Sequence, residues 1–514
     1  AMGIFVMGWN ITTFILHSKR CRFLATSSQP FLKYCINNSL LPDRCLAFYF
    51  LKLYEFDRHK ELMSIGEVLA IIAGILAGFI LILAFSFAYF FGAEKTIQRT
   101  IATIIDADQQ YNYDPVTHRD VWENPGLKVG HYLGRGCRFR KIRNVSHYNE
   151  GFLDTVFKRH HFSGIISIAL AFIFLMAVGF FMDSPVFQVP AAASILIFFA
   201  VMTAVIGALS YFLQSWSLPA FIIFILVIDV LYKNEIIDSR NKAYGINYID
   251  RSIRPDYNKW ALQKLCTPEK IAADKANMLQ VLEKWKKKQT GEKPVMVFIN
   301  VSGGGLRSGT FVMNTLQQLD SALNGKLMQH TMLISGASGG MLAATYYREL
   351  YREKQKDSSF NMYSKTFSDN MATDLLNPLF SSLVSRDVFA PAQKFSIGDH
   401  TYVKDRGYAF EQKLNSNSGY LLSHQLKDYI EAEKSAAIPL MIFNSTITRD
   451  GRRMMIASQP ISFMMKPLIA AADQHASPDA VDFTAMFAKQ DPFNIRLLSA
   501  LRMNATFPYI LPNV

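Results

Sequence analysis

The stretch 65–91 reads IGEVLAIIAGILAGFILILAFSFAYFF and carries one charge, Glu67, near its start. Only about 20 residues of helix are needed to cross the hydrocarbon of a bilayer, so a run of this length and purity predicts a membrane span rather than a core helix. Three more runs repeat the pattern, near 163–182, 186–212 and 217–232, the last one containing Asp229. Two shorter runs, 4–16 and 40–54, read as partial spans. Asn10, Thr12 and Thr13 interrupt the first, and Asp43 and Arg44 lie within the second. The chain opens on Ala-Met-Gly directly before half an apolar span, which reads as a helix cut open or an expression remnant. No basic region precedes that run, so it is not a signal peptide.

These runs explain why half of the 514 residues are hydrophobic and why there are 40 Phe. The formal charge of +13 is read beside so many spans as attraction to anionic lipid headgroups, not to nucleic acid. Arg135, Arg138, Arg140, Lys141 and Arg143 cluster between the first two strong spans, where a solvated positive-inside loop is an equal reading. Basic residues flank the spans on both sides (Lys95, Arg99, Lys158 and Arg159 against Lys233, Arg240, Lys242 and Arg251), so charge does not orient the chain. The five cysteines show no metal-type spacing, and neither a metal nor a cofactor is expected.

After Tyr232 the composition turns polar. Residues 1–233 form a multispanning region, and 234–292 a juxtamembrane linker with a bridging helix. That helix is capped by Thr267, with Pro268 in its first turn and Glu269 on its dipole. Its buried face is expected to carry Ile271, Met278, Leu279, Leu282 and Trp285, and Gly291 to stop it. From 293 onward apolar strands alternate with helices. PVMVFINV reads as a buried strand, Ser308–Leu323 as a helix, TMLIS as a second strand and Gly339–Tyr351 as a second helix. Two further strand-like runs flank Asp450-Gly451 as a hairpin. The fold class is therefore an α-helical transmembrane region followed by an α/β domain with a largely parallel sheet.

Two glycine turns carry the chemistry. In LISGASGG, Gly336-x-Ser338-x-Gly340 follows a strand and opens a helix, a bend that projects a serine hydroxyl into a cleft. In NVSGGGLRSG, Gly303, Gly304 and Gly305 end the preceding strand and expose successive backbone N–H groups, as an oxyanion hole requires. Arg307 follows, placed to hold a phosphate or carboxylate of a substrate. This loop lacks the Gly-Lys-Ser/Thr of a phosphate-binding P-loop, and Ser308 stands where a dinucleotide fingerprint wants its third glycine. A plain structural turn stays open as an alternative. His400, His424 and His475 follow the serine but have no distinctive context.

SGGGLRSG, GASGG and, further on, NATFPYILP at Asn504–Pro512 resemble the patatin-like phospholipase family in order and spacing. The Ser302-Gly-Gly-Gly-x-Arg loop is closer to the cytosolic phospholipase A2 form. The resemblance covers residues 293–514 and implies a three-layer α/β hydrolase domain with a Ser–Asp dyad. It makes Ser338 the nucleophile and the glycine loop the oxyanion hole. The family's aspartate follows the Phe-Pro segment in an Asp-Gly pair, which is not found here. It is expected beyond Val514, in a domain truncated at its C-terminus, with Asp450 as a minor candidate. The implied protein is a membrane-bound acyl hydrolase of phospholipase A or lysophospholipase type, acting on lipid acyl esters in a bilayer, and its membrane-fused relatives imply a bacterial inner membrane. A catalytically inactive relative that binds lipid or a partner is a rival, as is a transporter with a regulatory α/β domain. Methionines and phenylalanines at 360–400 and 455–470 are read as core or as the lining of an acyl channel.

Overall fold

A computed structural model describes the chain except residues 18–20, 22, 25–28, 109–128, 135–137, 143–149, 185–188, 235–240, 249, 251, 388–392, 468–475, 508–509 and 512–513. The chain divides into two compact units, Ala1–Val178 with Ala192–Asp238, and Gly179–Ala191 with Ser239–Val514.

The first unit is helical: α1 (Met2–His17), α2 (Pro30–Asn38), α3 (Leu40–His59), α4 (Ile65–Asp108), α5 (Glu150–Phe181), α6 (Ala191–Leu213) and α7 (Ser217–Lys233), with a short hairpin of β1 (His131–Leu133) and β2 (Phe139–Lys141). Three stretches are long and apolar enough to cross a membrane: Ile65–Phe90, Gly164–Phe181 and Ala191–Leu231. At a helical rise of 1.5 Å the 26 residues of the first reach about 39 Å, more than the roughly 30 Å of hydrocarbon. Its lone charge is a cap. Glu67 accepts the Ser64 amide at 2.8 Å while the Ser64 hydroxyl accepts the Glu67 amide at 3.3 Å, a reciprocal capping box.

The third and fourth expected spans form one apolar stretch of 41 residues. It is broken at the turn Gln214–Trp216, where Gln214 takes φ +46°. Beyond the break α7 has 17 residues, which reach about 26 Å at the helical rise. Asp229 pairs with Lys233 at 2.7 Å, one helical turn away. Two polar residues of α1, Asn10 and Thr13, have partners as well. Asn38 donates to Asn10 at 3.0 Å and to Thr13 at 2.6 Å, and Asn10 donates to Ser39 at 2.8 Å. These bonds tie α1 to the end of α2 and to Ser39, the residue between α2 and α3, where unpaired polar groups are costly. Of the basic cluster, Arg138, Arg140 and Lys141 stand exposed on or beside β2, while Arg135 and Arg143 lie outside the described residues.

The second unit is built on a five-stranded sheet in the order β3 (Val297–Val301), β4 (Thr331–Gly336), β7 (Leu440–Thr446), β8 (Arg453–Ile456), β9 (Ala480–Asp482). The pairs β3–β4, β4–β7 and β8–β9 are parallel, and β7–β8 is the expected antiparallel hairpin. A separate ribbon joins β5 (Lys394–Ile397) to β6 (His400–Val403). Helices α8 (Lys259–Leu265) and α9 (Pro268–Lys287) precede the sheet. The first crossover contains α10 (Gly305–Ala322) and α11 (Leu327–His330), and α12 (Ser338–Lys356) leaves β4. Val312, Met313 and Leu316 of α10, Met341 and Leu342 of α12, and Leu497–Leu501 pack with Ile334, Met441 and Phe443 on one face. On the other, Val281 and Trp285 of α9 cover Leu440.

Three expectations are corrected. Strand β3 is an edge, not a buried strand. Among the described residues it pairs only with β4, and its outward Phe298 is 63% exposed. The face of α9 includes Val281 and excludes Leu279, which is 59% exposed. The stretch after residue 240 is no linker: Ala243, Tyr244 and Ile246 are buried. Tyr244 donates its amide to Ser499 at 3.1 Å and its hydroxyl to Asp405 at 2.6 Å, and Arg502 donates to the Lys242 carbonyl at 2.5 Å. The methionines Met362, Met371, Met455 and Met465 are core.

Arg502 and Glu411, both fully buried, meet at 2.9 Å, and the guanidinium lies 5.0 Å from the Tyr244 ring centroid. Removing one member of such a pair strands the other charge. Arg502→Ala is expected to lower stability by about 3–5 kcal/mol, read from thermal unfolding. A loss no greater than that of the exposed Lys365→Ala would contradict the assignment. Asp387 supplies a pH test. Burial first, and then the Asp405 carboxylate, push its carboxyl up to about 7, against the pull of Arg406. The folded chain then holds a proton that the unfolded chain releases near pH 4. Stability is expected to fall as pH rises from about 4 through 7, and Asp387→Asn, which stays neutral, is expected to flatten that slope in melts taken across the range.

Candidate active site

The two glycine turns meet. Strands β3 and β4 run parallel and end together, with Val301 opposite Gly336. The chain leaves β3 through Ser302, Gly303 and Gly304 into α10, and leaves β4 through Ala337 into α12. Both helices begin earlier than the sequence suggests, α10 at Gly305 and α12 at Ser338 itself. Glycine hides helix starts from propensity reasoning, since its intrinsic helical preference is poor.

Backbones approach here as only glycine allows. A Cβ on Gly339 would lie 1.9 Å from the Gly305 carbonyl oxygen, and one on Gly340 would lie 2.3 Å from that of Ser302. A Cβ on Gly303 would lie 3.1 Å from the Ser338 Cβ and 3.8 Å from its Oγ. The Ser338 side chain therefore lies beside the glycine loop, where a side chain on Gly303 would crowd it.

Ser338 takes φ +53°. A non-glycine residue held there carries strain of order 1–3 kcal/mol, a feature concentrated at functional sites. It is half-buried, whereas Ser302–Gly305 and Ala337 are exposed. Among the described residues the Ser338 hydroxyl has no hydrogen-bond partner.

Two helix N-termini converge on this spot, those of α10 with 18 residues and α12 with 19. Their unpaired amides and dipoles favour negative charge. The Ser338 amide is already engaged by the Asn504 Oδ1 at 2.8 Å, which leaves the glycine loop as the source of donors for an anion. The Ser308 hydroxyl braces that loop by donating to the Ser302 carbonyl at 2.7 Å. Arg307 is exposed on the first turn of α10.

No protein family, curated protein or solved structure matches the chain.

The other candidates lie elsewhere. Asp450 sits at the β7–β8 turn, where Tyr257 donates to both carboxylate oxygens at 2.9 and 2.8 Å and Arg452 donates at 2.7 Å. Slight desolvation opposes ionisation, but these partners outweigh it and hold the carboxyl below its usual range, which makes a poor base. His424 faces Asp428 at 3.7 Å, His400 begins β6, and His475 lies outside the described residues. Among the described residues no group of three or more metal-type ligands is found.

Asn504 escaped the sequence reading. Its Nδ2 donates to the Gly336 carbonyl at 2.9 Å and to the Asn444 carbonyl at 2.8 Å, while its Oδ1 accepts from Ser338. The available signal was a polar residue ending the apolar helix Leu497–Asn504.

The closest packing yields the sharpest prediction. Gly339→Ala is expected to destabilise the second unit by more than 3 kcal/mol, roughly an overpacked and displaced backbone. Gly305→Ala, with open space but φ +64°, is expected to cost only about 1 kcal/mol. Chemical denaturation of the two variants compares them, and equal losses would contradict the close approach.

Proposed function

We propose that this chain is a membrane-bound serine acyl hydrolase whose second unit is patatin-like and whose substrates are acyl esters of membrane lipids. One observation carries the reading. A strained serine, at φ +53°, lies against a run of three glycines at the convergence of two helix N-termini. The tetrahedral intermediate that a serine nucleophile forms needs those amides.

In the proposed reaction the Ser338 oxygen attacks the ester carbonyl and passes its proton to a base. The carbonyl oxygen becomes the oxyanion facing Gly303–Gly305. Collapse expels the alcohol and leaves an acyl-serine, which water cleaves to a fatty acid. Arg307, at the mouth, would hold the phosphate of the headgroup. The resemblance assigns the base to an aspartate in a Ser–Asp dyad, and Asp450 does not serve, being held by Tyr257 and Arg452. Three helices long and apolar enough to cross a membrane suit a substrate that stays in the bilayer.

Among the described residues no carboxylate bonds the Ser338 hydroxyl, which favours one second reading, an inactive relative that binds an acyl lipid at the same site. A fluorophosphonate probe on the full chain in detergent decides between them. Covalent labelling at Ser338, lost in Ser338→Ala, together with fatty acid release from phosphatidylcholine or lysophosphatidylcholine micelles, is expected of the hydrolase. Removing a single oxyanion donor costs about 100- to 1,000-fold in kcat; Gly304→Ala keeps its amide but cannot hold φ +143° without strain, so misaiming that amide is expected to lower kcat by up to that factor. Absence of labelling would support the lipid-binding relative.

A further inference from the structure

We infer that Asn504 is a positioning residue for the nucleophile: its carboxamide clamps the strained bend on which Ser338 sits. The inference rests on the hydrolase reading of the same site. The side chain is 9% exposed and makes three hydrogen bonds, all to main chain. Oδ1 accepts the Ser338 amide at 2.8 Å, and Nδ2 donates to the carbonyls of Gly336 at 2.9 Å and Asn444 at 2.8 Å. Two carbonyls on one side and an N–H on the other admit only this orientation of the amide.

The geometry explains why a positive φ persists at Ser338. The bend lifts the Ser338 amide away from the strand ladder, where a buried N–H without a partner costs about 1–3 kcal/mol. Asn504 meets that N–H and, with the same group, ties down the carbonyl two residues earlier. The bend is thereby held from both sides. Through Asn444, the clamp also fixes the ends of β4 and β7 against each other. A neighbouring bond chain does the same on the sheet: Asn444 donates to the Ser335 hydroxyl at 2.9 Å, and Ser335 donates to the Ile442 carbonyl at 3.1 Å.

The helix bearing Asn504 cannot drift, because Arg502, two residues earlier, is pinned by Glu411, and Ser499 donates to Glu411 at 2.7 Å. Asn504 touches neither substrate nor the reacting oxygen. It acts through the backbone angle that aims the hydroxyl at the glycine loop. An error of about 1 Å in such aim costs on the order of 100-fold in rate.

The test uses the full chain in detergent. Asn504→Ala removes all three bonds. Asn504→Asp keeps the acceptor for the Ser338 amide and the shape, but sets a carboxylate against two carbonyls. Both are expected to lower kcat on a lysophosphatidylcholine substrate about 10- to 100-fold, with KM within about twofold and the fluorophosphonate labelling rate reduced in step. A purely structural role predicts a lower melting temperature with normal kcat per folded molecule. If Asn504→Ala does not fold, the isosteric Asn504→Asp carries the test. Labelling and turnover at the wild-type rate in the folded variant overturn the inference and leave the hydrolase reading standing. Absence of Ser338 labelling in the wild type overturns both.

Discussion

The site depends on one contact between two stretches of main chain. Where α12 begins beside α10, the backbone of Gly339 lies against the carbonyl of Gly305, and Gly340 against that of Ser302, with no room for a Cβ. Everything chemical about the cleft follows from this approach. It brings the start of one helix onto the start of another. It places the Ser338 side chain beside a glycine run and brings two helix N-termini to one spot. Glycine is needed not for flexibility but because two chains occupy the space of its absent side chain.

Such an approach must be held, because strain at Ser338 would otherwise relax. The surrounding polar groups supply the restraint in layers. Ser308 closes the glycine loop onto Ser302, and Asn504 engages both ends of the Ser338 bend. Behind Asn504 stands the buried pair Arg502–Glu411, packed against Tyr244. Tyr244 belongs to a segment that composition assigned to a linker. Its burial shows that the segment after residue 240 is a wall of the second unit's core, bound to the helix that carries Asn504.

Much of the fold was legible. Long apolar runs, the Thr267–Pro268 start of α9, the Asp450-Gly451 hairpin and the strand–glycine–helix rhythm all depend on local composition, which a sequence displays. What failed depended on neighbours far along the chain. Phe298 reads as buried because its strand is apolar, but exposure is set by β3 lying at the sheet edge. Leu279 and Val281 both fit a helical stripe, and only the sheet beneath selects Val281. The two turns were visible as glycine runs, whereas Asn504, 166 residues from Ser338, was visible only as one more polar residue.

The same reasoning separates what holds a site from what acts in it. Asp450 looked like a candidate by residue type and by its Asp-Gly context, yet Tyr257 and Arg452 saturate it, and a carboxylate held in its ionised form by strong donors has little tendency to take a proton. The Ser338 hydroxyl is the reverse case. It sits in a costly backbone conformation beside the glycine loop and has no partner among the described residues. A structural serine in a strand-to-helix turn relieves its backbone by bonding to it, as Ser308 does at Ser302. In Ser338 that task falls to Asn504, which leaves the hydroxyl unengaged. A fold that delegates backbone satisfaction to a second residue leaves the first residue's hydroxyl unengaged, and that division of labour is what separates Ser338 from Ser308.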